Sequence, residues 1–455
     1  MISFYIFGIL CAGLLFGDLL LAIFSIKRVQ LAFNLFILGI IGIIIIYIYY
    51  TGSSASILNI ISFNPFSEFF ALLFTVGVAL INLIYYSFAD DYRELSLLLT
   101  FSLIGMYVVA FSSTIPGIFI GLELMSIPTV FSVLLSKKSL EAATKLFIIA
   151  AISIAIFSFA MAINYGGSGA INLIESQYST ILLIAVILFI VSLGFEASIF
   201  PFNVLIPDIY EGSPAYITAL LGGINKKVGF AALLQILILV FIVYHSAFIV
   251  IAILSVFTMF YGNIGALMQK NLKRIMAYSS ISQAGYILIG IAVATSYSIS
   301  GSLFQIFAHT FIFIGILAIM AVLEKRNIST IDGLSGLSEK NQFIAFALVL
   351  FMLSLVGLPL TTGFVGKVLI FLGAVSAGLA ILAFLGIINS IISLYYYLRM
   401  ILAIYSKGEK VQMIIVDNYV LSVIIICLAI TILFGVFPQL MLGMINNAAA
   451  YLLHL

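Results

Sequence analysis

The chain has 455 residues, of which 64% are hydrophobic and 7% charged, against roughly 25% charged residues in an ordinary soluble protein. That balance excludes a soluble enzyme: at ~20 residues per spanning helix, the apolar residues suffice for about fourteen membrane crossings and leave no room for a soluble catalytic domain. The 18 basic and 16 acidic residues give a formal net charge of +2 and no sign of a nucleic-acid surface, while the two cysteines, Cys11 and Cys427, are too far apart in sequence to suggest a metal pair or a disulfide framework.

Taken in chain order, apolar runs of spanning length fall at 3–24, 31–50, 66–88, 95–111, 115–135, 143–165 and 178–206. Seven more fall at 215–241, 246–268, 272–294, 301–323, 342–375, 377–403 and 419–440, so the chain is expected to be an all-α integral membrane protein with fourteen transmembrane helices. The first run has no preceding basic residue and exceeds a ~7–15 residue signal core, so it reads as a retained helix. Basic residues check the count, because short cytoplasmic loops collect Lys and Arg. Lys27, Arg28, Arg93, Lys137, Lys138, Lys270, Lys273, Arg274, Lys325, Arg326, Lys340, Lys407 and Lys410 all follow odd-numbered spans. Both termini are then expected outside the cytoplasm.

Spans seven and twelve are over-long and interrupted. The first carries GFEASIFPFNVLIPD with Pro201 and Pro207, and the second GLPLTTGFVGK with Pro359 between Gly357 and Gly363. Proline removes a backbone donor and clashes with the preceding turn, so both helices are expected to break near mid-membrane. Five spans separate them, and an odd interval reverses helix direction, as an inverted repeat around a central ion site requires.

Five basic residues fall inside the spans: Lys145, Lys226, Lys227, Lys367 and Arg399. A charge at mid-bilayer costs about 2.5–3.5 kcal/mol even on lenient scales, so such residues face the protein interior and mark function. Glu123 lies near the centre of span five, Glu196 just before the break of span seven, and Lys226 and Lys227 near the middle of span eight. Adjacent helix positions point about 100° apart, so one of the two lysines is expected to face the site and the other to snorkel or pair. Lys367 follows the break of span twelve. Lys145 stands four residues after Glu141, the spacing of a helical ion pair near the membrane surface. Arg399 reads as an anchor at its helix end. His309, mid-way along span eleven, fits either a proton relay or a hydrogen-bonded polar residue between helices. Asp18 and Glu68 suggest no role.

The inventory argues against electron carriers on this chain. His245 lies in a loop and His454 in the tail, leaving no facing pair for a haem, and there is no cysteine cluster for iron and sulfur. GFVGKV lacks the phosphate-loop spacing, and no GxGxxG occurs.

Six stretches together resemble the antiporter-like membrane subunits of respiratory complex I. They are GLELMSIP at 121–128, EAATKLFIIA at 141–150, GFEASIFPFNVLIPDIYEGSP at 194–214, GNIGALMQKNLKRIMAYSSISQAGYILIG at 262–290, GLPLTTGFVGK at 357–367 and LYYYLR at 394–399. The last tilts the resemblance toward the subunit N branch. It implies two inverted five-helix repeats, 95–241 (spans four to eight) and 242–403 (nine to thirteen), between a three-helix segment at 1–94 and span fourteen with a tail at 404–455. It also implies a hydrated proton path along the midplane, with Glu123, Lys145, Lys226, His309 and Lys367 at the matching positions. FMN, iron–sulfur clusters and quinone are expected in partner subunits, none on this chain, and the partners are other membrane-arm subunits, the lipid bilayer and protons, without nucleic acid.

One position departs from the family pattern. Where the family has a lysine on helix seven, this chain has Glu196, and the histidine of the following motif is replaced by Asn203. Glu123 is then expected to face a second acid instead of a lysine, with Lys226 as the counter-charge of Glu196. A sister subunit carries glutamate at the symmetry-related helix-twelve position, so an acid here is compatible with transport. The expected mechanism is that redox chemistry in partner subunits changes the local field and thereby the proton occupancy of Glu123, Glu196, Lys226, His309 and Lys367. Two rival readings are a subunit of a multisubunit cation/proton antiporter and a transport-inactive membrane-arm scaffold. With no transit peptide in view, the expected site is a prokaryotic plasma membrane.

Overall fold

A computed structural model describes residues 2–24, 27–52, 55–57, 59–136, 139–171, 180–241, 246–408 and 415–454. Lys137, Lys138, Lys410 and His245 lie outside the described residues. The hydrocarbon core leaves backbone groups no water to bond, so a spanning chain must close its hydrogen bonds within helices, and the described residues are overwhelmingly helical. The order begins with α1 (Ile2–Phe24), α2 (Lys27–Thr51), a hairpin of β1 (Ala55–Ile57) and β2 (Ile61–Phe63), α3 (Pro65–Phe88), α4 (Tyr92–Phe111), α5 (Ile115–Leu135) and α6 (Leu140–Ser168). It continues with α7 (Thr180–Glu196), α8 (Ile206–Gly212), α9 (Ala215–Leu220), a π turn at Leu221–Asn225 and α10 (Lys226–Phe241). Then come α11 (Ser246–Leu267), α12 (Leu272–Val293), α13 (Ser296–Glu324), a 3-10 turn at Ile331–Leu334, α14 (Leu337–Lys340), α15 (Gln342–Val356), α16 (Thr362–Ser376), α17 (Ala380–Tyr405), α18 (Asn418–Val436) and α19 (Gln439–His454).

Among the described residues, 12 helices are long and apolar enough to cross a membrane, and three shorter apolar helices cover Ile181–Glu196, Gln342–Val356 and Thr362–Ser376. The chain is a multi-pass membrane protein. The short helices fall in the two runs expected to break. In the first, α7 stops at Glu196 and α8 starts at Ile206. Pro201 lies between them, whereas Pro207 stands in the first turn of α8. A missing N–H costs nothing there, so Pro207 starts the second half instead of breaking the first. In the second, α15 ends at Val356 and α16 begins at Thr362, with Pro359 in the intervening turn. The pattern of apolar runs gave no sign of three further features. The hairpin pairs Ala55 with Phe63 and Ile57 with Ile61, the eighth run is interrupted by the π turn, and α19 is a helix where a tail was expected.

By contact, the chain forms two compact units: 1–197 with 224–245 and 447–455, and 198–223 with 246–446. In the first unit, α1, α2 and α4 are clasped by a buried carboxylate. Asp18 accepts from Gln30 (2.6 Å) and Asn34 (2.9 Å) of α2 and from the Thr100 hydroxyl of α4 (2.7 Å). All four side chains are buried, and in hydrocarbon that set of bonds has no water to replace it. In the second unit, α13 is the core, with every residue from Ser298 to Leu323 buried. At the end marked by basic residues, Arg274 of α12 bridges Asp208 (2.7 Å) and Glu211 (2.8 Å) on α8, and Lys273 pairs with Glu324 of α13 (2.8 Å). These bonds hold the segment after the first break onto α12 and α13.

Replacing the central acid of the clasp tests it. Asp18→Ala removes three buried hydrogen bonds and leaves Gln30, Asn34 and Thr100 only their second acceptors, the Arg93 carbonyl, the Ser96 hydroxyl and the Ser96 carbonyl, at about 0.5–1.5 kcal/mol per bond. The expected result is a clear drop in melting temperature of the detergent-purified protein, with a smaller drop for Asp18→Asn, which keeps one acceptor oxygen.

Candidate functional site

Lys367 lies in the second turn of α16, within the second unit, and is 4% exposed. Its ammonium is drawn back toward the break. It donates to the carbonyl oxygens of Leu355 and Val356 (2.9 Å each), the last residues of α15, and to the Ser390 hydroxyl on α17 (3.2 Å). It also sits 4.3 Å from the centre of the Tyr286 ring on α12, within cation–π range. The sequence accounts for this arrangement. Pro359 and Gly357 end α15, and a helix end leaves its last carbonyls without partners and with partial negative charge. The lysine supplies both the donors and the positive charge. Gly357 closes α15 in the left-handed region at φ 100, and a Cβ there would stand 3.2 Å from Lys367 Cδ, so a side chain is strained by the backbone and crowds the lysine stem.

Behind the ammonium runs a row of amides. The Leu355 carbonyl also accepts from Gln283 of α12 (3.0 Å), whose own oxygen accepts from Gln305 of α13 (2.8 Å). Gln305 is one turn from His309 and therefore on the same helix face. His309 is 2% exposed and stacks on Phe313 with ring centres 4.8 Å apart. The second unit thus brings Lys367 and the helix of His309 into one buried polar system. The two glutamines were missed in the sequence because amides in an apolar run carry no spacing signal.

The first unit holds the other candidates. Glu123 on α5 borders a cavity of ≈ 730 Å³ between α5 and α6, lined also by Ser126, Ile127, Phe131, Phe147 and Ile154. Glu196 ends α7 and lies in the electrostatic field of Glu123. Lys226 and Lys227 begin α10 directly after the π turn and are 5% and 2% exposed. Neither snorkels to the surface, so of the two alternatives expected for the second lysine the surface one is excluded. The π turn shifts the helical register by one residue, and this lets both stems run inward. Gly229, less than one turn further, brings α10 within 2.9 Å of the backbone at Glu196 and Ala197, measured from where a Cβ would stand. Asn225, the last residue of the π turn, donates to Thr129 of α5 (2.9 Å), and Ser102 of α4 bonds the Met125 carbonyl (3.3 Å). Pro128 lies inside α5 and withdraws one backbone donor between Glu123 and Thr129.

Two further charges make contacts of their own. Lys145 pairs with Glu141 at 2.6 Å across one helical turn, with side-chain exposures of 25% and 82%, the surface pair that its spacing suggested. Arg399 anchors its helix end through the protein, donating to the carbonyls of Leu267 and Gln269 at the end of α11. Among the described residues, no group of three or more His, Cys, Asp or Glu side chains converges as a metal site.

The sequence matches the family profile described as NADH:quinone oxidoreductase/Mrp antiporter, transmembrane, over residues 112–393. A curated relative, NADH-quinone oxidoreductase subunit N 1 of Chloroherpeton thalassium, is 32% identical over 411 residues, 85% of each chain. Among solved structures, a chain of respiratory complex I from Thermus thermophilus with bound aureothin superposes with TM-score 0.85 at 26% identity, covering 95% of this chain and 98% of that one. A chain of the Mrp complex from Dietzia sp. shares the fold with TM-score 0.88 at 19% identity, covering 98% of this chain and 97% of that one.

Gly357 tests the lysine geometry. Gly357→Ala forces an L-residue into the left-handed region, at about 1–2 kcal/mol, and pushes on the Lys367 stem. A lowered melting temperature is expected, with a larger drop than for Gly39→Ala, where a Cβ meets nothing within 4 Å.

Proposed function

Because the chain belongs to the NADH:quinone oxidoreductase/Mrp antiporter membrane family, we propose that it is a proton-translocating membrane-arm subunit of a complex I-like quinone oxidoreductase. Other membrane subunits of that assembly are its partners, and the electron-carrying groups, FMN, iron–sulfur clusters and quinone, belong to them. The observation that carries the reading is Lys367: a basic side chain buried at the end of a broken helix, where transport proteins place their ion sites. Its surroundings suit a change of proton occupancy, because the carbonyls of Leu355 and Val356 hold the ammonium while Gly357 leaves the stem room to move.

Counting each broken pair as one crossing brings the twelve long helices to fourteen. On this reading both termini lie on the non-cytoplasmic side, and the basic end carrying Lys273 and Arg274 is cytoplasmic. The two breaks belong to inverted five-helix repeats at 95–241 and 242–403, flanked by the segments 1–94 and 404–455. Protons pass between Glu123, Glu196, Lys226, His309 and Lys367 as redox chemistry in the partners alters the local field. Glu196 works as an acid where relatives of this fold carry lysine, with Lys226 supplying the balancing charge. Lys145, tied to Glu141 near the surface, serves at the edge of this path.

The test uses the intact complex in proteoliposomes, with proton uptake measured per quinone reduced. Lys367→Ala and Lys226→Ala are each expected to cut coupled uptake by about 100-fold, the lower end of what a positioned proton-transfer group contributes. Glu196→Gln should cut it as well. Unchanged uptake in Glu196→Gln, alongside loss in Lys226→Ala, would make the acid structural and remove it from the path. Intact uptake after both lysines are neutralised would identify a scaffold.

A further inference from the structure

The oxygens gathered at Asp18 outnumber those its hydrogen bonds use. Asp18 Oδ1 accepts from the amides of Gln30 and Asn34, and Oδ2 from the Thr100 hydroxyl. The same two amides also donate to the Arg93 carbonyl (3.3 Å) and to the buried Ser96 hydroxyl (2.8 Å). Their oxygens are left over. Gln30 Oε1 and Asn34 Oδ1 have no hydrogen-bond partner, although the two side chains are 0% and 1% exposed. Among the described residues, no basic side chain forms an ion pair with Asp18.

A carboxylate buried in this way needs a proton or a positive charge, because an isolated ion in an apolar medium is too costly to persist. The two orphaned amide oxygens point to a positive charge. Donors alone would suffice to hold a neutral acid, whereas a buried acceptor without a partner is a standing penalty. Half a turn of an amide end exchanges its oxygen and its nitrogen. Gln30 and Asn34 therefore face Asp18 with N–H when donors hold the acid, and can face it with C=O when a cation lies between them.

The donor set narrows the ion. Carboxylate, amide and hydroxyl oxygens are the ligands of hard cations. One carboxylate balances one positive charge, so a monovalent ion leaves the site neutral, while a divalent ion leaves uncompensated charge in hydrocarbon. The position gives a way in. Asp18 stands six residues before the end of α1, Asn34 seven after the start of α2 and Thr100 eight after the start of α4. At 1.5 Å per residue, the set lies roughly 10 Å in from the end of these helices where Lys27, Asp90 and Arg93 are found.

We infer that Asp18, Gln30, Asn34 and Thr100, with Ser96 beside them, bind one alkali metal cation, which locks α1 and α2 onto α4. The site shares no residue with the proton path proposed above and stands or falls independently of it.

The test uses the full chain, purified in detergent, in sodium, potassium and choline chloride at equal ionic strength, so that general screening is constant. Its melting temperature is expected to rise by several degrees, saturably, in sodium or potassium relative to choline, because an ion that binds only the folded state stabilises it by mass action. Radioactive sodium, or rubidium where potassium is the stabilising ion, should bind at one ion per chain. Asp18→Asn should abolish both signals, and Asn34→Leu should weaken binding about tenfold. Glu68→Gln, at a buried acid of α3, should leave both unchanged. Equal melting temperatures of the unaltered chain in all three salts would overturn the site, whether or not the variants fold, and would leave a neutral acid or a trapped water among the amides. A shift that persists in full in Asp18→Asn would also overturn it, as would stabilisation by calcium or magnesium alone.

Discussion

An ammonium inside hydrocarbon needs acceptors for its protons, and a helix broken in mid-membrane needs donors for the carbonyls it frees. At the second break each requirement meets the other. The last carbonyls of α15 hold Lys367, and Lys367 holds the end of α15. Each loses by removal of the other: without the break the ammonium keeps only Ser390 and the Tyr286 ring, and without the lysine the Val356 carbonyl loses its donor while Leu355 keeps Gln283. Much of the second unit is arranged around this pair. The wholly buried α13 packs beside it, Gln283 shares the Leu355 carbonyl, and Ser390 and Tyr286 complete the ammonium's shell.

The first unit solves the same problem by other means. Asp18 is satisfied by amides and a hydroxyl from two neighbouring helices, a closed set that fixes α1, α2 and α4. Glu196 lies in the field of Glu123, and Lys226 and Lys227, directly after the π turn that carries Asn225, are buried. A carboxylate that accepts from three buried donors on two neighbouring helices favours rigidity.

Much of this was legible in the sequence where residue type and position carry the physics. Proline within an apolar run marks a break, and both interrupted helices appear where Pro201 and Pro359 fall. A charged residue in such a run marks an interior position, and both Lys226 and Lys367 are buried, whereas Glu123 is half-buried. Glu141 and Lys145, four apart, pair as helical geometry dictates. The rest depends on which helices meet. Gln283 and Gln305, Asn225 and Thr129, and Ser390 and Tyr286 are ordinary polar residues until packing sets them opposite one another. Pro207 looked like a second break because its place in the first turn of α8 is decided by where α7 stops. The π turn at Leu221–Asn225 and the helix α19 have no periodicity that differs from their surroundings, and the short hairpin before α3 is too brief for alternation to register.

On the proposed reading, the chain moves protons inside an assembly whose other subunits reduce quinone. The most direct measurement is to purify the tagged chain from its host membrane in mild detergent, identify the accompanying subunits by mass spectrometry, and assay quinone reduction together with proton uptake after reconstitution. The expected result is companion subunits that carry iron–sulfur clusters and a quinone site, with proton uptake that stops when quinone reduction is inhibited. Companions limited to small membrane subunits, with cation-dependent proton exchange and no quinone reduction, would contradict it.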